Sequence, residues 1–134
     1  MLTVEKVTED RLDIELSGQL DAGQMNIGLD ELLLASSDIT AGKMLYTISD
    51  FEMPTLGALT IELQYLPQLL RLLRNFKKCA VVSDIAWIRT AAEIEGAFLP
   101  GIEIRAFTEN ARDHAEAWLD KLSDTADTAE NFPV

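Results

Sequence analysis

Cysteine and histidine are nearly absent from this chain: Cys79 and His114 are the only examples in 134 residues. One thiol excludes an intrachain disulfide framework, and its place in an apolar stretch marks Cys79 as a buried, inert side chain. His114 has Asp113 and Glu116 beside it but no second histidine or cysteine near in sequence, so the donor set of a transition-metal site is missing. Bases are scarce as well, with 11 Lys and Arg against 23 Asp and Glu, a formal net charge of -12 and a pI near 4.3. Nucleic acid is therefore not expected as a partner, because phosphates need a basic footprint. The longest basic run is Lys77-Lys78, with Arg71 and Arg74 just upstream.

Long apolar runs are missing too. The most apolar stretch is broken by Glu62, Gln64, Pro67, Gln68 and Arg71, well short of the roughly 18 residues that span a bilayer. Residues 2–16 alternate apolar and charged side chains where a leader would carry an apolar block, so a cytoplasmic location is expected, with peripheral membrane association as the alternative. Gly18, Gly23 and Gly28 match neither a dinucleotide nor a P-loop spacing, and Thr40-Ala41-Gly42-Lys43 precedes a strand rather than following one. Carboxylate pairs such as Glu93/Glu95 and Asp50/Glu52 arise by chance among 23 acids, and none is assigned as a general acid or base. A non-enzymatic chain without cofactor or metal is the expectation.

What is present is a sequence of strands and helices fit for one domain, residues 1–122, followed by an acidic, flexible tail at 123–134. Leu2, Val4, Leu12, Ile14 and Leu16 alternate with polar residues around a turn at 8–11, which predicts an antiparallel hairpin. Asp21 is placed to cap a helix reaching Ser36, and residues 44–48 form an apolar strand. A long helical segment is predicted over 55–76, a strand over 79–82, a helix over 84–98 and a strand over 102–107. Thr108 caps a last helix bearing Ala115, Trp118 and Leu119. The class is α/β: a mixed sheet of about five strands, antiparallel at the start and mostly parallel thereafter, with four helices.

Four landmarks carry a resemblance: Ser17-Gly18-Gln19-Leu20-Asp21-Ala22 after the hairpin, Cys79-Ala80-Val81-Val82-Ser83-Asp84 with Trp87 following, Glu103-Ile104-Arg105-Ala106-Phe107, and Ala115-Glu116-Ala117-Trp118-Leu119. In this order and spacing the chain resembles the SpoIIAA-like family, a bacterial group with the fold of the STAS domain of anti-sigma-factor antagonists. The resemblance implies a STAS-like fold and a non-enzymatic role, with signalling by partner binding or association with lipids. One departure stands out. Where antagonists of that kind carry a phosphorylatable serine in an Asp-Ser-Ser-Gly-Leu type motif, this chain reads Met53-Pro54-Thr55-Leu56-Gly57-Ala58-Leu59. Thr55 is the nearest hydroxyl; a helix cap is the simpler reading and a regulatory phosphosite the alternative.

The long helix has more apolar surface than a sheet can cover. At about 100° per residue, Leu59, Leu63, Leu66, Leu70 and Leu73 form one stripe and Ile61, Tyr65, Leu69, Leu72 and Phe76 a second, together an arc of about 200°. The second stripe is expected to meet the helix at 84–98, a second subunit in a homodimer, or an apolar ligand. Pro67 predicts a kink or break near Leu66. Two functions follow. A STAS-like interaction module would engage a protein, or itself, through the loops at 50–55 and 83–87, with Thr55, Ser83 and Asp84 as the loop or anion site. Alternatively, a groove between the helices at 55–76 and 84–98 would take an acyl chain or a membrane surface, lined by Ile61, Tyr65, Leu69, Leu72, Trp87 and Phe98. The tryptophans otherwise read as packing aromatics.

Overall fold

A computed structural model describes residues 1–121, apart from the side chain of Phe98; the tail expected at 123–134 lies outside the described residues. Strands β1 (Leu2–Thr8) and β2 (Arg11–Gly18) pair antiparallel, with Leu2 opposite Leu16 and Val4 opposite Ile14. There follow α1 (Ala22–Ser36), β3 (Gly42–Phe51), α2 (Leu56–Leu72), β4 (Phe76–Val82), α3 (Ala86–Phe98), β5 (Glu103–Phe107) and α4 (Arg112–Asp120). The strands lie in the order β1-β2-β3-β4-β5, antiparallel in the first pair and parallel in the rest. This is the mixed five-stranded α/β sheet with four helices that the patterning predicts.

The strand order dictates where the helices go. Each new parallel strand is added on the same side of the last, and right-handed crossovers then put α1, α2 and α3 on one face. Alternate strand residues meet them there: Ile14, Met44, Tyr46, Cys79, Val81 and Ile104. No crossover constrains α4, which closes the other face by setting Ala115, Trp118 and Leu119 on Leu45, Ala80 and Val82. Its C-terminal carbonyls are gathered by a buried amine: Lys78 Nζ donates to Trp118 O at 3.0 Å and to Lys121 O at 3.1 Å.

Two helix starts follow their sequence signals. The Asp21 carboxylate accepts from Gln24 N–H at 2.8 Å while the Gln24 side chain accepts from Asp21 N–H, a full capping box. Thr55 Oγ1 accepts from Ala58 N–H at 3.1 Å and caps α2.

Elsewhere the chain departs from its periodicity. The helix predicted over 55–76 ends at Leu72, tightens into a 3-10 turn at Leu73–Asn75, and gives way to strand, so Phe76 opens β4 and enters the core from the sheet. A 3.6-residue period cannot register that change, because Phe76 completes the helical stripe by spacing alone. Pro67 does not break α2, which runs through it on the exposed side of the helix. Asp84 does not cap the helix that follows it. That helix starts two residues later, at Ala86, and the Asp84 carboxylate instead accepts from Glu109 N–H at 2.9 Å, beyond β5. Thr108 caps nothing through its side chain, which donates to Asn110 Oδ1 while a 3-10 turn at Glu109–Ala111 precedes α4.

Candidate functional site

Two attachments pull α2 and α3 apart. On one side α2 is drawn to α1: Ile61, Tyr65 and Leu69 pack with Leu16, Leu20, Met25 and Leu29, and the Tyr65 hydroxyl lies 2.6 Å from both Asn26 Oδ1 and Asp30 Oδ1. The bond to Asp30, with some burial, raises the Tyr65 phenol above its ordinary range. On the other side α3 is drawn onto β5 through Gly96. A Cβ there would stand 2.9 Å from Ile104 Cβ and 3.2 Å from Ile104 O, so only glycine allows this approach.

Between them an apolar cleft of about 630 Å³ opens over the sheet. Tyr46, Ile48, Cys79 and Val81 lie on its floor; Leu59, Leu66, Leu69 and Leu70 line it from α2, and Trp87, Ile88 and Ala91 from α3. Trp87 is 59% exposed at the mouth and meets Phe51 edge-on, with ring centroids 5.7 Å apart. Met53 in the loop before α2, Leu56 and Leu63 on α2, and Ile94 on α3 add exposed apolar surface nearby. Three polar side chains punctuate the lining: Tyr46, Glu62 and Glu95. Burial, followed by the charges of Glu62, Cys79 and Glu95, drives the Tyr46 hydroxyl far above its ordinary range.

Of the residues singled out from sequence, Leu69, Leu72 and Trp87 line the cleft, whereas Ile61 and Tyr65 turn toward α1. The stripe containing Tyr65 is thus split, with Ile61 and Tyr65 packed toward α1 and Leu69 and Leu72 reaching the cleft, where Leu59, Leu66 and Leu70 of the other stripe join them. Tyr46 and the two glutamates lie outside the set that periodicity singles out, although a tyrosine inside the apolar strand Met44-Leu45-Tyr46 is a visible signal. Phe98 ends α3, but its side chain is outside the described part of the structure.

The loop residues are committed to the fold. Ser83 is fully buried; its Oγ accepts from Ile85 N–H at 3.2 Å and its carbonyl from Arg89 Nη1 at 2.8 Å. With Asp84 bonded to Glu109 and Thr55 to Ala58, all three polar side chains of the expected anion site are occupied within the protein. Burial, and next the hydrogen bond to Asp84, raise the Glu109 carboxyl. Among the described residues, no group of three or more His, Cys, Asp or Glu side chains is placed to hold a metal ion, and no helix is long and apolar enough to cross a membrane.

Cys79 on the cleft floor makes a pH-dependent contribution to stability. Burial, and then the charge of Glu95, push its thiol from 9.0 up to about 12. The native state keeps the proton that the unfolded chain releases, so this contribution is intact below pH 9.0 and is lost as pH rises toward about 12. The urea midpoint should fall over that window, and less steeply in Cys79→Ala; equal slopes in both proteins would assign the alkaline loss to other groups.

The five-stranded sheet with three helices on one face, one on the other and a cleft between two of the three describes a small mixed α/β fold. Its sequence agrees with a family profile: the SpoIIAA-like profile matches residues 11–120, and the chain belongs to the SpoIIAA-like family. The crystal structure of an uncharacterised protein with a SpoIIAA-like fold from Shewanella loihica PV-4 is similar to it at a TM-score of 0.66 and 23% identity, over 89% of this chain and 92% of that one. Lower similarity extends to the Bacillus cell fate determinant SpoIIAA in its phosphorylated form, with a TM-score of 0.48 and 14% identity over 85% and 97% of the two chains. For the anti-sigma factor antagonist SpoIIAA in its unphosphorylated form the values are 0.45 and 15%, over 87% and 98%. Comparison with curated proteins gave no match.

Proposed function

We propose that this chain is a non-enzymatic binding module whose working site is the cleft between α2 and α3, and that the cleft takes an apolar, acyl-type chain. The observation that carries this reading is the cavity itself. Its volume of about 630 Å³ falls inside the roughly 300–1,000 Å³ of small-molecule sites, and its lining is apolar with few polar groups. Filling it removes leucine and tryptophan surface from water at about 25 cal/mol per Å². A second reading, contact with a protein partner or a second copy, is supported by exposed Met53, Leu56, Leu63 and Trp87 on the neighbouring surface. The net charge of -12 disfavours surfaces rich in anionic lipid heads.

Titration with dodecanol below its solubility limit tests the first reading through the emission of Trp87, since Trp118 is buried on the opposite face of the sheet. Saturable binding with a blue shift is expected. Leu66→Arg combined with Leu70→Arg should weaken it by about 100-fold, because each change replaces an apolar contact by a charge. Both side chains are exposed, so the melting temperature should hold. No binding by the folded parent protein rejects the acyl-chain reading; a dimer in sedimentation that the same arginines dissolve favours the second.

A further inference from the structure

We propose that the cleft selects a cationic head, so that its ligand is a single-chain amphiphile bearing an amine rather than a carboxylate. The proposal rests on the acyl-chain reading above and adds to it the chemistry of the polar end. Among the described residues, Glu62 and Glu95 are the only charged ones in the lining, one contributed by α2 and one by α3, and no lysine, arginine or histidine accompanies them. Among the described residues neither has an ion-pair or hydrogen-bond partner, and the hydroxyl of Tyr46 on the floor has no hydrogen bond either. Glu62 on α2, Glu95 on α3 and Tyr46 on β3 thus line one cleft from its two walls and its floor.

An alkyl ammonium group suits that lining. Its N–H groups can donate to a lining carboxylate or to the Tyr46 oxygen while the hydrocarbon chain runs along the leucines of α2. A fatty-acid carboxylate in the same place would bring a third negative charge to two that nothing neutralises. Both carboxylates are exposed to solvent at the edges of the cleft, so the attraction and the repulsion are of the modest size that water and salt allow. Head-group charge, more than chain length, then decides which amphiphile stays.

Dodecylamine, dodecanol and dodecanoate share one chain and differ in head charge. Their affinities at pH 7, in about 0.15 M salt to screen the distant surface acids and below micelle formation, are read from Trp87 emission and calorimetry. The amine should bind about tenfold more tightly than the alcohol, and the carboxylate about tenfold more weakly. Glu62→Gln with Glu95→Gln should erase the order, whereas Glu31→Gln, an exposed acid on α1, should preserve it. If dodecanoate binds the parent protein as tightly as dodecylamine, or if the order survives in the double glutamine variant, the head-group inference falls and the cleft reading stands. If none of the three binds, the cleft reading falls and this inference with it.

Discussion

Phe76→Ala is expected to cost about 3–5 kcal/mol, the range for deleting a buried aromatic side chain. The ring is 1% exposed and sits among Leu12, Ile39 and Leu72 in the main core. It also lies over Gly42, its partner in the pairing of β3 with β4; a Cβ on that glycine would already approach the ring edge to 3.1 Å. Neighbours that tight cannot collapse into the vacated volume without moving the backbone of β3, so the cavity term adds to the lost transfer energy. The urea midpoint should drop with an unchanged slope. A loss below about 1 kcal/mol would place residue 76 outside the core, as in a helix continued past Leu72 that turns this residue toward solvent.

Phe76 also marks the boundary of what the sequence makes legible. The elements and their mixed pairing follow from alternation and turn residues, and once the strand order is given the helix faces follow from the handedness of crossovers, all of them local or chiral rules. The capping boundaries at Asp21 and Thr55 follow for the same reason: each depends on a side chain and a backbone group three residues away. Asp84 departs because its partner, Glu109 N–H, is 25 residues distant and competes with the local cap. The cleft is less legible still. Periodicity shows that α2 has a surplus of apolar surface, but the choice of which residues are packed depends on α1, through the contacts of Tyr65 with Asn26 and Asp30. Tyr46, Glu62 and Glu95 come from three separate elements, and no spacing within one element brings them together.

The two faces of the sheet are built for different ends. The α4 side is filled by Trp118 and Leu119 against Leu45, Ala80 and Val82, whereas the other side leaves α2 and α3 attached to different neighbours with space between them. A cleft of this kind is held open by what lies on either side of it, Tyr65 toward α1 and Gly96 toward β5, and by a rigid floor. That floor is β3 and β4, and α4 is what backs it.

Lys78→Met should therefore loosen α4 and leave the cleft competent. Lys78 is 2% exposed; its ammonium donates to the carbonyls of Trp118 and Lys121 and lies 4.9 Å from the centroid of the Trp118 ring. These carbonyls belong to the last turn and the C-cap of α4, where helix geometry leaves acceptors without intrahelical donors. Methionine keeps most of the buried stem but removes the donors, so the expected loss is about 1.5–3 kcal/mol, the worth of hydrogen bonds to a charged group. Trp118 emission should shift red as the end of α4 frays and water reaches the ring. At a temperature where the variant remains folded, dodecanol should bind as it does to the parent protein, because Lys78 and Trp118 sit behind the sheet and outside the lining of the cleft. An unchanged melting temperature would show that α4 is held by packing alone; a folded variant with weakened cleft binding would show that β4 transmits strain from one face of the sheet to the other.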